Sequence, residues 1–230
     1  METVIAKLRE DLQKYVNGDD ANFILCEILM GIVVLQYTFR VEPISIIEII
    51  TSVVSGLYLA DLGTGLIHLL LDNYKGDNPS LKPAADAFQN HHNISGQKII
   101  TYDNFDLLKE AKVMILPVIC ILYNLTPLTS KSQMLCQIVS LYGMHLSQIT
   151  HKYAHLANYL TEEDKQKPEH KIIAFLQDNH LILHPKEHRL HHISPKYDVN
   201  FCIVNGWANP LLNSIVHIPF IHSRLFPDTE

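Results

Sequence analysis

The sequence predicts an all-α fold, a membrane protein with four transmembrane helices and a cytosolic, histidine-rich helical cap. Three observations predict this class. Four apolar segments of roughly spanning length follow one another along the chain. Lysine and arginine collect on alternate sides of these segments. Histidines recur at spacings of three and four residues, which place side chains on one face of a helix.

Composition narrows the function classes. The chain has 230 residues, which predicts one domain, and a net charge of −6, which disfavours nucleic-acid binding. It has 14 histidines against 18 lysines and arginines, an excess that needs an explanation. None of the four cysteines forms a C-x2-C pair, so thiolate zinc ribbons and haem-attachment motifs are excluded, and no disulfide framework is expected.

The first two elements are an N-terminal arm and a membrane helix. Residues 1–20 mix charged and apolar side chains and predict a short amphipathic helix in a cytosolic arm. Residues 21–39 hold one charge, Glu27, and would span about 28 Å as a helix, close to the hydrocarbon thickness of about 30 Å. The segment is too long and begins too late for a cleaved signal sequence.

The second apolar segment carries the first candidate ligands. Pro43 is well placed to start a helix over 44–72, which would be about 43 Å long, so its end with His68 and Asp72 should emerge from the bilayer core. Asp61, His68 and Asp72 share one helical face. A carboxylate inside a membrane is costly and usually functional.

The remaining apolar segments follow a polar region. Residues 73–110 predict a polar loop that contains His91 and His92. Residues 111–128 and 133–150 predict two further membrane helices, although their short length also allows buried core helices. One domain would then cover 21–216, with 217–230 as a short tail without a pattern.

The basic residues predict the topology. The N-terminal arm has three, the polar loop four and the part from 151 onward eight, whereas the two hairpin loops have only Arg40 and Lys131. The positive-inside rule then places the N-terminus, the central loop and the C-terminus in the cytosol. The protein is expected in the endoplasmic reticulum of a eukaryote or the inner membrane of a bacterium. The histidine groups fall on this same side.

The histidine groups predict a metal site. Alone, His68 with Asp72 could be an interfacial hydrogen-bonded pair, and adjacent histidines in a loop are usually just exposed. His188, His191 and His192 lie within five residues and form the strongest single motif. Nitrogen and carboxylate ligands without sulfur suit iron, manganese or zinc. Nine or ten candidate ligands imply two ions, which suits O2 activation on a lipid.

Taken in order, the motifs resemble the Kua/CarF lipid desaturase family. They lie at 60–72, 91–92, 151–155, 176–180, 188–195 and 201–207. The family includes plasmanylethanolamine desaturase and the plant plastid fatty-acid desaturase of phosphatidylglycerol, and the similarity covers roughly 55–212.

The resemblance implies a chemistry and a ligand set. It implies a membrane lipid desaturase with two iron ions and O2, converting a 1-alkyl ether phospholipid (plasmanylethanolamine) to a 1-alkenyl plasmalogen; desaturation of a fatty-acyl chain is the alternative. The implied metal ligands are His68, Asp72, His91, His92, His151, His155, His180, His188, His191 and His192.

Further residues are expected around the metals. Asp178 would orient His180, and Trp207 would hold a lipid headgroup or act as an ordinary interfacial anchor. Asp61 belongs to this surrounding set. Asn90 and Glu187 depart from the family, which often has Glu and His there, so they leave the placement of a carboxylate open.

Two more departures concern the substrate. Leu69 and Tyr153 stand where the family usually has tryptophan, so the substrate channel is expected to differ.

Electrons must come from a partner, because the chain has neither a Rossmann fingerprint nor a P-loop. A cytochrome b5 or a ferredoxin-type protein is the expected donor, and a membrane phospholipid is the expected substrate. Gly63 and Gly65 are better explained by close helix packing. Three rival interpretations stay open: a haem-binding electron carrier, a zinc-dependent membrane hydrolase and a non-catalytic metal protein.

Overall fold

The computed structural model describes residues 18–79, 81–93, 98–114, 116–125 and 130–227. All regular elements in these ranges are helical, so the all-α class is confirmed. Two 3-10 turns lie at Lys98–Thr101 and Asp164–Gln166. The helices are α1 (Gly18–Phe39), α2 (Ile46–Asp72), α3 (Lys82–His91), α4 (Asn104–Met114), α5 (Leu116–Leu125), α6 (Lys131–Leu156), α7 (Pro168–Asp178), α8 (Pro185–Ile193), α9 (Asn209–Val216) and α10 (Pro219–Leu225).

Three of the four predicted apolar segments appear as single helices, α1, α2 and α6. Of the segment predicted at 111–128, the described residues 111–114 lie in α4 and 116–125 form α5, and the region predicted as a polar loop contains α3 and the first part of α4. The amphipathic helix predicted in the N-terminal arm lies mostly outside the described residues.

The start of α2 differs from the prediction that Pro43 begins the helix. The helix begins at Ile46 because Ser45 caps it. The Ser45 hydroxyl accepts the Glu48 N–H at 3.2 Å, and the Glu48 carboxylate accepts the Ser45 N–H at 2.8 Å. This reciprocal capping box satisfies backbone donors that Pro43 could not.

Helices α2 and α6 pack along each other, and glycine permits their close approach. A Cβ at Gly56 would lie 2.6 Å from the carbonyl oxygen of Cys136 in α6. A Cβ at Gly143 would lie 2.8 Å from the Cβ of Ala60 in α2. Small residues at these crossings bring the two backbones together, as in packed membrane helices.

The two helices run parallel, because their first residues meet at one end of the bundle. The Lys131 N–H donates to a Glu42 carboxylate oxygen at 2.7 Å, and the Lys131 ammonium donates to the Arg40 carbonyl at 3.0 Å. The Ser52 hydroxyl donates to the Ser132 carbonyl at 2.9 Å. The carboxyl ends of α2 and α6 therefore lie together at the opposite end.

One helix of the described ranges, α2, is long and apolar enough to cross a membrane. A shorter apolar stretch, Phe23–Phe39, lies within α1. Large apolar side chains stand exposed on α1 and α2; Ile47 is 70% and Leu70 is 65% exposed. Helix α6 carries Gln137 and Ser140 among its buried residues, which lowers its hydropathy below that of a typical spanning helix.

Candidate metal centre

The carboxyl ends of α2 and α6 are where the predicted ligands collect. His68 and Asp72 stand one turn apart in the last turns of α2, and His151 and His155 do the same in α6. Residues one helical turn apart share a face, so each pair points towards one region. Helix α3 contributes His91, and His92 directly follows it; α8 contributes three histidines, and these four helices meet there.

Helix α3 is attached to the end of α2 by one side chain. The Gln89 amide donates to the carbonyls of Leu71 and Tyr74, both at 2.9 Å. The two carbonyls lie at and just beyond the carboxyl end of α2, where donors from the helix itself run out. The two hydrogen bonds also bring the end of α3, with His91 and His92, over the end of α2.

Five imidazoles form the first group, named here the five-histidine group. Its members are His91, His151, His155, His188 and His192, whose candidate ligand atoms all lie within 4.8 Å of one another. The Nε2 atom of His188 lies 2.9 Å from that of His151, 2.8 Å from that of His155 and 2.9 Å from that of His192.

The second group, named here the aspartate group, comprises His68, Asp72, His92 and His191. One carboxylate oxygen of Asp72 lies 3.3, 3.4 and 3.3 Å from the Nε2 atoms of His68, His92 and His191. The Nε2 atoms of His92 and His191 are 3.0 Å apart.

The two groups adjoin each other. Adjacent residues belong to different groups in two places: the rings of His91 and His92 lie 4.4 Å apart, and those of His191 and His192 lie 5.6 Å apart. His92 also stacks on Tyr197 at 4.2 Å. The end of the bundle therefore holds a pair of neighbouring candidate sites, as the number of ligands predicts.

Backbone carbonyls hold several of the rings in place. The Nδ1–H of His68 donates to the Phe201 carbonyl at 2.9 Å, and that of His191 to the Val199 carbonyl at 2.7 Å. His91 donates in the same way to Phe88. Such bonds turn the Nε2 lone pair of each ring towards the site and are the usual outer partners of metal-binding histidines.

The spacing of the donor atoms suits shared metal ions better than hydrogen bonds between the side chains. Ligand nitrogens about 2.0–2.1 Å from one ion, at right angles to each other, would lie about 3 Å apart, which is the separation seen around His188. Nε2 of His68, Nε2 of His91 and both carboxylate oxygens of Asp72 are buried and make no hydrogen bond within the described ranges. Buried polar atoms without partners are costly, and a cation would satisfy all of them.

The protonation state suits ligation as well. Burial lowers the pKa of His91 and of His188 well below the usual value of histidine, and the neighbouring imidazoles lower it further. Both rings are therefore neutral at physiological pH. A neutral imidazole offers the lone pair that a metal requires.

Asp61 lies apart from both groups and organises the loop whose Phe201 carbonyl orients His68. It is fully buried, and one carboxylate oxygen accepts the N–H groups of Val204, Asn205 and Gly206 at 3.0, 2.9 and 3.1 Å. The other accepts the Ala208 N–H at 2.9 Å. These bonds compensate the buried charge and attach the 201–208 loop to α2.

The structure does not bring His180 and Asp178 into either group. His180 has φ 52° beyond the end of α7, and its ring stacks on His184 at 5.3 Å. The Asp178 side chain is 76% exposed and faces His184 at 3.8 Å, rather than His180.

The other expected residues lie around the site. Glu187 accepts the Asn200 side-chain amide at 3.1 Å. The Trp207 N–H donates to the Asn205 side chain at 3.2 Å. Asn90 is exposed and lines a cavity of about 420 Å³ that reaches His91 and His151 of the five-histidine group.

Sequence reasoning missed the carbonyls of Val199 and Phe201 and the side chain of Gln148. Gln148 faces Nδ1 of His151 at 3.4 Å. Every residue has a carbonyl, so no sequence signal marks one that holds a ligand. Gln148 could have been found from its position three residues before His151, because residues at this spacing share one face of a helix.

Fold and site together define an all-helical protein with a histidine-rich candidate metal centre at one end of its bundle. Residues 57–221 match the family model of the lipid desaturase domain, and the chain belongs to this family. This confirms the resemblance drawn from the motifs.

Curated relatives agree with this assignment. The chain is 30% identical over 173 residues to plasmanylethanolamine desaturase 1 of Mus musculus, covering 70% of this chain and 59% of the mouse protein. It is 26% identical over 176 residues to the plasmanylethanolamine desaturase of Myxococcus xanthus, with coverages of 74% and 58%. It is 27% identical over 165 residues to fatty acid desaturase 4-like 1, chloroplastic, of Arabidopsis thaliana, with coverages of 69% and 50%.

The matched part spans between half and three fifths of the length of these relatives. No solved structure matches the chain.

Proposed function

We propose that this protein is a membrane lipid desaturase with two iron ions, one in the five-histidine group and one in the aspartate group. The observation that carries the proposal is the convergence of eight imidazoles and one carboxylate, several with buried and unpartnered donor atoms, in a member of the lipid desaturase family. His180 is left out of the proposed ligand set because it lies outside both groups.

The proposed reaction requires activation of O2, which amino-acid side chains cannot perform. Two bound iron ions would supply this chemistry for the removal of two hydrogens from neighbouring carbons of a lipid chain. The donors contain no sulfur, which suits iron, and the five-histidine group offers more than the four ligands that zinc usually takes.

The protein's own residues would orient and balance the ions. Asp72 is the one carboxylate of the two groups, so it would supply the anionic charge, while His68 and His191 are held by carbonyls with Nε2 facing it. The cavity beside the five-histidine group combines Phe88, Ile99 and Tyr102 with the imidazoles of His91 and His151. Apolar walls beside the ligands would hold a lipid chain and exclude water from the reacting carbons.

The substrate we propose is a 1-alkyl ether phospholipid, converted to a 1-alkenyl plasmalogen. Two of the relatives, from mouse and from Myxococcus xanthus, carry this activity in their names. The second candidate is desaturation of a fatty-acyl chain, which the similar identity to the plant relative favours. Both candidates require the same site.

For the topology we propose four spans, formed by α1, α2, α4 together with α5, and α6. The meeting of Lys131 with Arg40 and Glu42 supports this arrangement, because it places both hairpin loops at one end. The histidine groups lie at the other end, which would face the cytosol together with both termini. An acidic donor of the cytochrome b5 or ferredoxin type would reach the site from that side.

The deciding experiment is expression in cells that contain ether lipids but no desaturase of this kind, followed by lipid mass spectrometry. We expect a new species two hydrogens lighter that is cleaved by mild acid, since vinyl ethers are acid-labile. A His191→Ala variant should abolish it, and His170→Gln, outside all histidine groups, should not.

The other outcomes separate the alternatives. A loss of two hydrogens confined to acid-stable acyl chains would assign the acyl substrate. No change in any lipid, with folded and iron-loaded protein and a supplied electron donor, would contradict the proposal and favour a non-catalytic metal protein.

A further inference from the structure

A third cluster lies apart from the two groups, where the segment after α8 meets the C-terminal helices. Its members are Asp198, His217 and His222, and their ligand atoms all lie within 4.8 Å of one another. One carboxylate oxygen of Asp198 lies 3.0 Å from Nε2 of His222 and 3.5 Å from Nε2 of His217. The rings of the two histidines stack at 5.5 Å.

The hydrogen bonds of this cluster orient it as a ligand set. The Nδ1–H of His217 donates to the Asn213 carbonyl at 2.8 Å, one turn back in α9. In the neutral His217 ring, Nε2 then carries a lone pair that faces the Asp198 carboxylate oxygen, so two hydrogen-bond acceptors face each other. This arrangement needs a cation or a proton between the two atoms. A histidine whose far nitrogen donates to a carbonyl is the usual form of a metal ligand.

Asp198 is positioned in the same manner. The Ser194 hydroxyl donates to its second oxygen, which leaves the first oxygen to face both histidines. The Asp198 side chain is 16% exposed and that of His222 is 26% exposed, so both are largely shielded. His217 is 47% exposed and borders a cavity of about 380 Å³, lined also by Lys196, His222 and Ser223. An ion has an entry path and an open position there.

We propose that Asp198, His217 and His222 bind one divalent transition-metal ion, separate from the two ions of the proposed desaturase centre. Two imidazoles and one carboxylate with an open position form a set that zinc and ferrous iron both accept. The separations of 3.0 and 3.5 Å match ligand atoms about 2.0–2.2 Å from a shared ion.

The location gives this third ion a structural role. Asp198 directly precedes Val199, whose carbonyl holds the His191 ring of the aspartate group. His217 follows α9 and His222 lies in α10. A bound ion would therefore fasten the segment that orients His191 to the C-terminal helices. The proposal does not depend on the lipid reaction, since it concerns binding at other residues.

The test is metal stoichiometry on the full chain purified in detergent. After removal of all metal, Zn²⁺ is titrated into the unaltered protein, the His217→Ala/His222→Ala variant and the control His170→Gln. We expect the double variant to bind one ion fewer, with affinity at this site reduced at least about 100-fold, beyond the loss usual for an outer partner. The control should match the unaltered protein.

A second background separates this site from the desaturase centre. In a chain carrying Asp72→Asn and His188→Ala, both groups are impaired, and the remaining Zn²⁺ should be lost when Asp198→Asn is added. Asn keeps the size of Asp198 and removes its charge, so folding should persist; gel filtration and helical circular dichroism check this. A Co²⁺ absorption spectrum of the site should change in the same variant.

Equal Zn²⁺ stoichiometry and affinity in the unaltered protein and in folded double and Asp198→Asn variants would overturn the proposal and leave a simple ion pair. If the unaltered protein binds this third ion but produces no desaturated lipid, the result would count against the proposed lipid reaction and leave the third site supported.

Discussion

The five-histidine group and the aspartate group use the same residue type in different surroundings. The aspartate group has a carboxylate at its centre, and two of its rings, His68 and His191, are held by backbone carbonyls. The five-histidine group has no carboxylate, and Nδ1 of His188 and of His192 finds no partner among the described residues. The first group is therefore oriented by the 199–201 backbone, whereas in the second only His91, at Phe88, is held by a carbonyl and Gln148 faces His151.

Charge is therefore concentrated in the aspartate group, which also has two carbonyl-held rings against one in the five-histidine group. An ion in the aspartate group would gain from the Asp72 charge and from rings that are already oriented. An ion in the five-histidine group would have only neutral ligands. We therefore expect the two positions to differ in affinity, with the aspartate group binding more tightly.

The largest effects should follow the loss of the central residue of either group. Asp72→Asn and His188→Ala should each lower desaturase activity at least about 100-fold, more than the loss typical of an outer partner. Each should remove one of the two ions of the proposed desaturase centre and keep the other, measured as one ion fewer per chain by elemental analysis of purified protein. Asp72→Asn should retain less iron under a competing chelator, because its group loses the charge.

This result would be contradicted if either single substitution removed both ions. In that case the two groups would behave as one site, and the comparison between them would fail.

Asp61→Asn should have the next largest effect. The asparagine amide would point an N–H group at backbone N–H donors, so the loop that orients His68 would loosen. A lost hydrogen bond to a buried charge costs about 1.5–3 kcal/mol, which should lower the thermal midpoint of unfolding. We expect metal affinity in the aspartate group to fall about 10- to 100-fold, as for outer partners.

The five-histidine group supplies the control for Asp61. Its ion should be retained, because none of its rings is bonded to the 201–208 loop. Equal loss of both ions in a folded Asp61→Asn protein would show that the loop serves the whole site.

Gly143→Ala tests whether the distance between the groups depends on helix packing. The added methyl would lie 2.8 Å from the Cβ of Ala60 and should push α6, with His151 and His155, away from α2. Overpacking of this kind costs about 1–3 kcal/mol. We expect a lower thermal midpoint and a partial loss of activity.

Gly31→Ala in α1 is the matched control. A Cβ there meets nothing within 4 Å, so the substitution should be neutral or slightly stabilising. If Gly143→Ala behaved like Gly31→Ala, the two helices would not need their close approach.

The smallest effect should follow His180→Asn. Asparagine tolerates the positive φ at this position, so the backbone is preserved. The ring lies outside both groups, and we expect unchanged iron content and unchanged lipid product. Loss of one ion in this variant would return His180 to the ligand set.

The sequence predicted a large share of the site and less of the bundle. Spacings of three and four residues marked His68 with Asp72 and His151 with His155, because a helix brings such residues to one face. The apolar segments 21–39, 44–72 and 133–150 were found because length and hydropathy are local properties. The helix α3 and the first part of α4 were not predicted, since polar stretches carry no clear period.

The sequence was enough to predict the helical class, the family and ten candidate ligands, of which nine lie in the two groups. These follow from local composition and motif order. The division of the ligands between the two groups is visible in the tertiary structure alone, because His91 and His92, or His191 and His192, are neighbours in sequence yet belong to different groups. It also separated His180 from them and brought Asp198, His217 and His222 together. Such partitions depend on how four helices meet, and that is set by packing contacts between residues far apart in the chain.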